Sequence, residues 1–440
     1  MLQHCLKRIS LPKRDMEIDS GYAYVILVSA FVLRTFETFC PVTFGIYLIE
    51  FMEYFHTDDT FSVAFVGGLY PLFQALSGPV LGYCVKRFGA RAVVMTGSLV
   101  ASISSLIAAS YPSIEVLTVH FAIWGCCGSS MMLSGQIIVQ QYFEKKRSLA
   151  GGIWMSGGSW GFFIWPPVAR LLISKYTWRG SYIIHAGIVL NCLVCGFLLH
   201  SPPKVKKQKG KKTKAEPKKK IRCELKYLNW LLFMMSISLL SFGQYAGAVY
   251  LPVKGHLDGI EASKIPFLAS AIGITGVALR PFSGFLGDLK CTNRQFLSAT
   301  TMVLSGLTFI SIAFISGFGP MMAIAVVSGT MQSLYSGTCG TQVVDVFTMA
   351  NIEFGVGMFS LCFGLGLCAL NPVAGILIDA TGTPNTVFYA FGAAHILGGF
   401  TFFLVGLLTL HLQRKSVPND AEVTSTDLEL KVDGSAAPEN

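Results

Sequence analysis

The sequence predicts an all-α polytopic membrane protein with twelve transmembrane helices in two pseudo-symmetric six-helix halves. Three observations predict it: too little charge for a soluble surface, apolar blocks of membrane length, and an internal repeat. Of 440 residues, 52% are apolar and 13% charged, against about 25% charged in ordinary soluble domains. The apolar residues come in blocks such as Gly21 to Phe51 and Met358 to Ile378. A hydrocarbon core of roughly 30 Å takes about 20 apolar residues per helix. Spans read near 21–49, 61–84, 92–110, 114–142, 148–173, 180–200, 227–252, 265–287, 295–316, 320–347, 354–378 and 385–411. Their unbroken apolarity fits helices, since barrel strands alternate polar and apolar residues.

The remaining segments have other compositions. Residues 1–20 mix Lys7, Arg8, Lys13, Arg14, Asp15, Glu17 and Asp19 without an apolar run, and read as a cytoplasmic leader, not a cleavable signal. Residues 21–200 and 227–411 form the two predicted halves. Between them, 201–226 is a basic linker with Lys204, Lys206, Lys207, Lys209, Lys211, Lys212, Lys214 and Lys218 to Lys220. It serves either as a solvated topology determinant or as an attraction to anionic inner-leaflet lipid. The tail, 412–440, is polar and acidic and reads as disordered. With both termini inside, 27 of the 34 Lys and Arg residues fall on the cytoplasmic side, four outside and three within spans. That asymmetry sets the orientation by the positive-inside rule, and it assigns the net charge of +10 to the membrane, not to nucleic acid. The cysteines lie mostly inside spans, where Cys acts as a small apolar residue. His120, His185 and His395 show no metal-ligand spacing, and no cofactor is expected.

The repeat is the third observation. Gly82-Tyr-Cys-Val-Lys86-Arg87-Phe-Gly89-Ala-Arg91 follows the second span, and Gly284-Phe-Leu-Gly-Asp288-Leu-Lys290-Cys-Thr-Asn-Arg294 follows the eighth, 202 residues later. Trp165-Pro166-Pro167-Val168-Ala169 matches Leu370-Asn371-Pro372-Val373-Ala374 at an offset of 205, and Gly152 and Gly161 match Gly357 and Gly366 at the same offset. Gly135-Gln136 against Gly340-Thr341-Gln342 is looser. Two similar six-helix halves around a central cavity is the architecture of the major facilitator superfamily, in which rocking gives alternating access.

Particular motifs carry a closer resemblance. Gly82 to Arg91 resembles the loop between helices two and three of those carriers. The run from Tyr142 to Gly157, with Lys145, Lys146, Arg147, Gly152 and Trp154, is similar to the fifth-helix signature of monocarboxylate transporters. Trp178-Arg179-Gly180-Ser181 also fits that family, as does Arg280-Pro281 in the eighth span. Asp19-Ser20-Gly21-Tyr22-Ala23-Tyr24 fits its first-helix signature with tyrosines for tryptophans. The resemblance spans about residues 19–411. It implies a plasma-membrane carrier of small organic acids or related solutes, and some relatives need a single-span immunoglobulin-type chaperone. Three departures count against ordinary proton–lactate symport. Val42, not lysine, follows Pro41; Gly276 stands where an aspartate precedes the arginine by one turn; Trp154 replaces a small residue. Facilitated movement of a small monocarboxylate is the expectation. A larger or zwitterionic solute (an amino-acid derivative, creatine or an iodinated hormone) and a transport-dead receptor or scaffold are the alternatives.

Charges inside a bilayer need partners or a wet cavity. Arg34 and Glu37 share a helix face three residues apart, either as a neutralising structural pair or as cavity groups for an anion and a proton. Arg280 is the leading candidate for a solute carboxylate, because a guanidinium binds one bidentately. Its alternative is a structural contact to another helix. Gln136, Gln244, Tyr245, Gln332, Tyr335, Asn371 and Trp154 are candidate cavity residues, and the amides and hydroxyls among them serve equally as interhelical hydrogen bonds. Gly82, Arg87, Gly89, Arg91, Asp288, Arg294 and the basic Lys145, Lys146 and Arg147 read as gating or structural motif positions. No paired aspartates or His-Glu-x-x-His sit at membrane depth, so a membrane enzyme is disfavoured. Neither a filter segment nor charge rings point to a channel.

Overall fold

The computed structural model describes residues 18–56, 60–201, 218–244, 246–261 and 264–414. The leader to residue 17, residues 202–217 of the linker and the tail from 415 lie outside them. The described residues are helical with short turns. The N-terminal half holds α1 (Gly21–Glu37), α2 (Phe39–Tyr54), α3 (Thr60–Phe88), α4 (Ala90–Ser110), α5 (Ile114–Tyr142), α6 (Arg147–Leu190) and α7 (Cys192–Leu198). The C-terminal half holds α8 (Lys218–Gln244), α9 (Ala246–Leu257), α10 (Ile265–Asp288), α11 (Arg294–Ile312), α12 (Phe318–Ser336), α13 (Cys339–Phe347), α14 (Ile352–Thr381) and α15 (Asn385–Arg414). Eight helical stretches among the described residues are long and apolar enough to cross a membrane, and one of them, Arg147–Leu198, runs for 52 residues and contains two spans. Three further helices, α3, α10 and the α12–α13 pair, complete the predicted twelve.

Breaks occur where the chemistry requires them. The first span bends at Thr38, between α1 and α2. Pro41 has no N–H, so it frees the Glu37 carbonyl one turn earlier, and the Tyr70 hydroxyl lies 3.3 Å from that oxygen. The fifth and sixth spans are continuous except at Thr177, whose φ of 61° and ψ of 173° interrupt the helix. The Trp178-Arg179-Gly180-Ser181 motif sits at that corner. Trp178 is buried against Phe51, Tyr54 and Tyr182. Arg179 donates to the Ala109 carbonyl at 2.7 Å, satisfying the end of α4, and Ser181 bonds the Tyr47 hydroxyl at 2.5 Å.

The halves meet along two helix pairs, α3 with α14 and α6 with α10, and the sequence repeat is visible in how they touch. An ideal Cβ at Gly82 would collide with the Glu353 carbonyl of α14, and one at Gly284 with the Ser148 carbonyl of α6. One turn away, Gly78 faces Gly357 and Gly152 faces the Arg280 carbonyl. The two sets correspond at the offsets of the repeat. Gly161 and Gly366 also match: the first presses on Thr35 and Thr38 of the first span, the second on Ser238 and Ser241 of α8. Glycines therefore recur because backbones approach there closer than any side chain allows.

Candidate functional site

The close glycine contacts lie at the end of the bundle where α3 and α10 finish and α6 and α14 begin. The other end is hollow. A cavity of about 680 Å³ lies between the halves. Its wall comes from the later parts of the first, fifth and eleventh spans, the earlier parts of the second and eighth, and residues of the fourth and seventh. Pro41, Val42, Phe44, Phe121, Phe162, Phe163, Pro166, Pro167, Phe363, Leu367 and Leu370 make most of it apolar. Arg34, Glu37, Thr38, Tyr70, Gln74, Ser159 and Ser270 make the polar patch.

Arg34 and Glu37 form an ion pair in which Nη1 donates to Oε2. The other carboxylate oxygen, Oε1, accepts from the Tyr70 hydroxyl at 2.7 Å and from Gln74 Nε2 at 2.7 Å. Glu37 is buried with both oxygens bonded, as a buried carboxylate requires. Gly128 of α5 makes the room, since a side chain there would come within 2.7 Å of the Tyr70 hydroxyl. The Arg34 guanidinium lies over the Trp154 ring, 5.7 Å from its centre, a cation–π contact. Trp154 is buried and forms part of the floor beneath the cavity.

Arg280 reaches the same level from the other half. Its Nη1 donates to the Met155 carbonyl at 2.9 Å. An ideal Cβ on Gly158 would lie 3.4 Å from Arg34 Nε and 3.5 Å from Arg280 Nη1, so a glycine on α6 lets two guanidinium groups come together. Gly276 has a physical reason as well. A Cβ there would meet Ser159 Oγ and lie 3.3 Å from Arg280 Nε, so an aspartate would have to turn the Ser159 hydroxyl aside and would sit against the Arg280 guanidinium.

The other candidates are placed elsewhere. Gln136 is fully buried on α5 below the cavity. Gln332 and Tyr335 line a small separate space with Leu240, Met302 and His395, and Gln332 Nε2 donates to Ser328 Oγ at 3.4 Å. Tyr245 and the side chains of Gln244 and Asn371 fall outside the described residues. The histidines have packed or local environments. His120 bonds Ser104 Oγ at 2.9 Å, His395 the Phe391 carbonyl at 3.0 Å, and His185 stacks on Phe39. Tyr70, Gln74 and Ser159 escaped sequence reading, because nothing in the second or fifth span alone tells which turn faces Glu37.

The repeat loops tie the closed end together. Asp288 accepts from the Ser148 and Leu149 N–H groups at 2.9 and 2.8 Å, so a carboxylate of one half caps a helix of the other. Arg294 lies 3.5 Å from Asp288 and 3.3 Å from Asp345. In the first half the corresponding Arg91 instead bonds His200 at 3.1 Å and stacks on Phe197 at 4.0 Å. Gly89 caps α4 with a φ of 88°. Arg87 is exposed beside Phe88. Lys145 and Lys146 are exposed, and Arg147 donates to the Phe143 carbonyl at 2.8 Å.

Comparison with known proteins agrees with this geometry. A family model described as Major Facilitator Superfamily matches residues 26–318 and 256–432. Among curated proteins, monocarboxylate transporter 12 of Xenopus laevis is 26% identical, covering 94% of this chain and 94% of that protein. Monocarboxylate transporter 4 of Gallus gallus is 23% identical over 96% of this chain and 90% of its own length. Monocarboxylate transporter 6 of Homo sapiens is 24% identical over 90% and 83%. Among solved structures, the transporter FucP in the outward conformation superposes with a TM-score of 0.66 at 14% identity, over 89% of this chain and 99% of that one. The human organic anion transporter MFSD10 gives 0.63 at 14% identity, over 89% and 100%.

Proposed function

The chain belongs to the Major Facilitator Superfamily, on its monocarboxylate transporter branch, and from that premise we propose that it moves a small monocarboxylate down its gradient by alternating access. The observation that carries this reading is the pair of guanidinium groups converging at Gly158 beneath the cavity. Two cations in a partly desolvated site repel by about 2 kcal/mol even at an effective dielectric near 20. Glu37 pairs with Arg34. A solute carboxylate descending the cavity meets the Arg34 guanidinium in its lining, with Arg280 held behind it on the Met155 carbonyl. On this reading the solute binds as its anion, and no proton need accompany it. The absence of Lys after Pro41 and of a carboxylate at Gly276 supports the same conclusion.

With the amino terminus on the cytoplasmic side, as the charge asymmetry directs, the cavity faces outward and the glycine contacts close the inner end. The plasma membrane is the site we assign on the family resemblance. The aromatic wall of Phe44, Phe121, Phe162, Phe163 and Phe363 favours a second reading, a bulkier carboxylate with an aryl or branched body. The test is an uptake screen of organic acids in reconstituted vesicles at two external pH values. Saturable uptake of pyruvate or phenylpyruvate that follows the solute gradient alone is the expected result. Uptake of neither acid, with zwitterions or nothing transported, would overturn the reading.

A further inference from the structure

A second polar layer lies in the seam that is closed, and the cavity does not use it. On α5, Met132 lines the cavity. Gln136 and Gln140 follow at four-residue steps on the same helix face, progressively deeper into the closed end. Both are fully buried. Neither Nε2 nor Oε1 of either amide has a hydrogen-bond partner among the described residues. They face the opposite half. An ideal Cβ at Gly340 of the C-terminal half would lie 2.7 Å from Gln140 Nε2 and 3.5 Å from Gln136 Nε2, while one at Gly151, on α6 of their own half, would lie 3.0 Å from Gln140 Nε2. The Ser148 hydroxyl donates to Thr341 Oγ1 at 3.2 Å across the same seam.

Packing alone does not account for these amides. A buried amide gives up its water, and without a partner it gains nothing in return; leucine or methionine would fill the same volume at no such cost. A stripe that is buried in one state and lines a cavity in another has a reason to be polar. The stripe here is continuous with the present cavity through Met132, and it belongs to the helix end that rocking would uncover.

We propose that Gln136 and Gln140 form a second solute subsite, uncovered when the halves rock to close the present cavity, whose amide N–H groups take over the solute carboxylate on the other side of the barrier. This deepens the transporter reading above and rests on it. Neutral N–H donors hold a carboxylate less tightly than a guanidinium, so the solute passes from a stronger site at Arg34 to a weaker one facing its exit.

Two measurements separate this proposal from the function it rests on. The first needs no solute. A Gln140→Cys variant in sealed vesicles is treated with a membrane-impermeant maleimide from the face that carries the start of α6, and labelling is compared by mass spectrometry with native Cys192, which is buried within the N-terminal half. Labelling at least tenfold faster than Cys192 is expected. Equal inertness would mean that the layer never opens, and would overturn the proposal. The second uses radiolabelled pyruvate and phenylpyruvate in proteoliposomes of the Gln136→Met/Gln140→Met variant. The half-saturation constant from the α6 face should rise at least fivefold, and that from the cavity face by less than twofold. An equal change on both faces, or none, overturns the subsite. If the unaltered protein moves neither acid, the transport reading fails and the labelling result alone decides whether the layer opens.

Discussion

The two ends of the bundle are built from the same helices and behave oppositely. At the closed end, Gly82 and Gly284 admit the backbones of α14 and α6, and the Asp288 carboxylate caps α6 from the other half. At the hollow end the same spans carry Pro41, Pro71, Pro166 and Pro167 together with bulky aromatics, and a cavity of about 680 Å³ separates the halves. Small residues in register let helices seal, even where Pro79 and Pro281 sit in the seam; bulky rings line the end that stands apart. The polar floor at Arg34, Glu37 and Trp154 divides the two regimes. The closing contacts follow the sequence repeat, whereas the charged floor does not: Arg34 and Glu37 come from one half and Arg280 from the other, in positions the repeat does not relate. Pseudo-symmetry thus serves motion, and departure from it serves recognition.

That comparison can be broken first at the floor. Arg34→Gln should leave Glu37 buried beside a neutral amide and remove the cation the solute meets, a loss of about 2–5 kcal/mol for a truncated charge pair. Initial uptake at low solute concentration should fall at least tenfold while surface biotinylation stays normal. Wild-type affinity in this variant would move the site to Arg280 alone.

At the closed end, Gly284→Leu forces a side chain into the Ser148 carbonyl. Overpacking of about 1–3 kcal/mol should shift the balance of states roughly 5–150-fold toward an open seam. Alkylation of the native Cys339, buried in the present state, reports the shift, and unchanged alkylation would mean that the glycine is not at a moving contact. Asp288→Asn should act in the same direction but less, by about 1 kcal/mol, because a neutral amide still caps the Ser148 and Leu149 N–H groups. Arg87→Ala, which removes an exposed side chain of the same repeat loop, should change transport by less than a factor of about two, in keeping with the roughly 0.5 kcal/mol ceiling for surface substitutions.

Much of the closed end was legible in the sequence because its physics is local and repeated. Gly152 and Gly161 matched Gly357 and Gly366 before any packing was known, and each pair then made equivalent contacts. Helix limits followed from apolar length, the corner at Thr177 included, apart from breaks inside predicted spans at Thr38, Asn191, Gly337 and Thr338, where short-range geometry decides. The Arg34–Glu37 pair was legible because three residues on a helix fix a shared face. Tyr70 and Gln74 were not, since the rotation of α3 against α1 depends on Gly128 and on packing between helices. Gln140 was overlooked although it lies one turn from Gln136; beside Gln141 at the end of an apolar span, it gives no sign of which half it faces. Gly276 read as a missing carboxylate, and the structure adds that the space there is taken by the Ser159 hydroxyl beside Arg280.

The most direct test of the account is the steady level of radiolabelled pyruvate and phenylpyruvate in proteoliposomes with and without an inward proton gradient. With the membrane potential held at zero by a freely permeant counter-ion, the account predicts entry that stops when inside and outside concentrations match, with the same plateau and less than a twofold change in rate when the proton gradient is imposed. Accumulation several-fold above equilibrium that is driven by the gradient and abolished in Glu37→Gln would contradict it, and would make the buried carboxylate beside Arg34 a proton carrier.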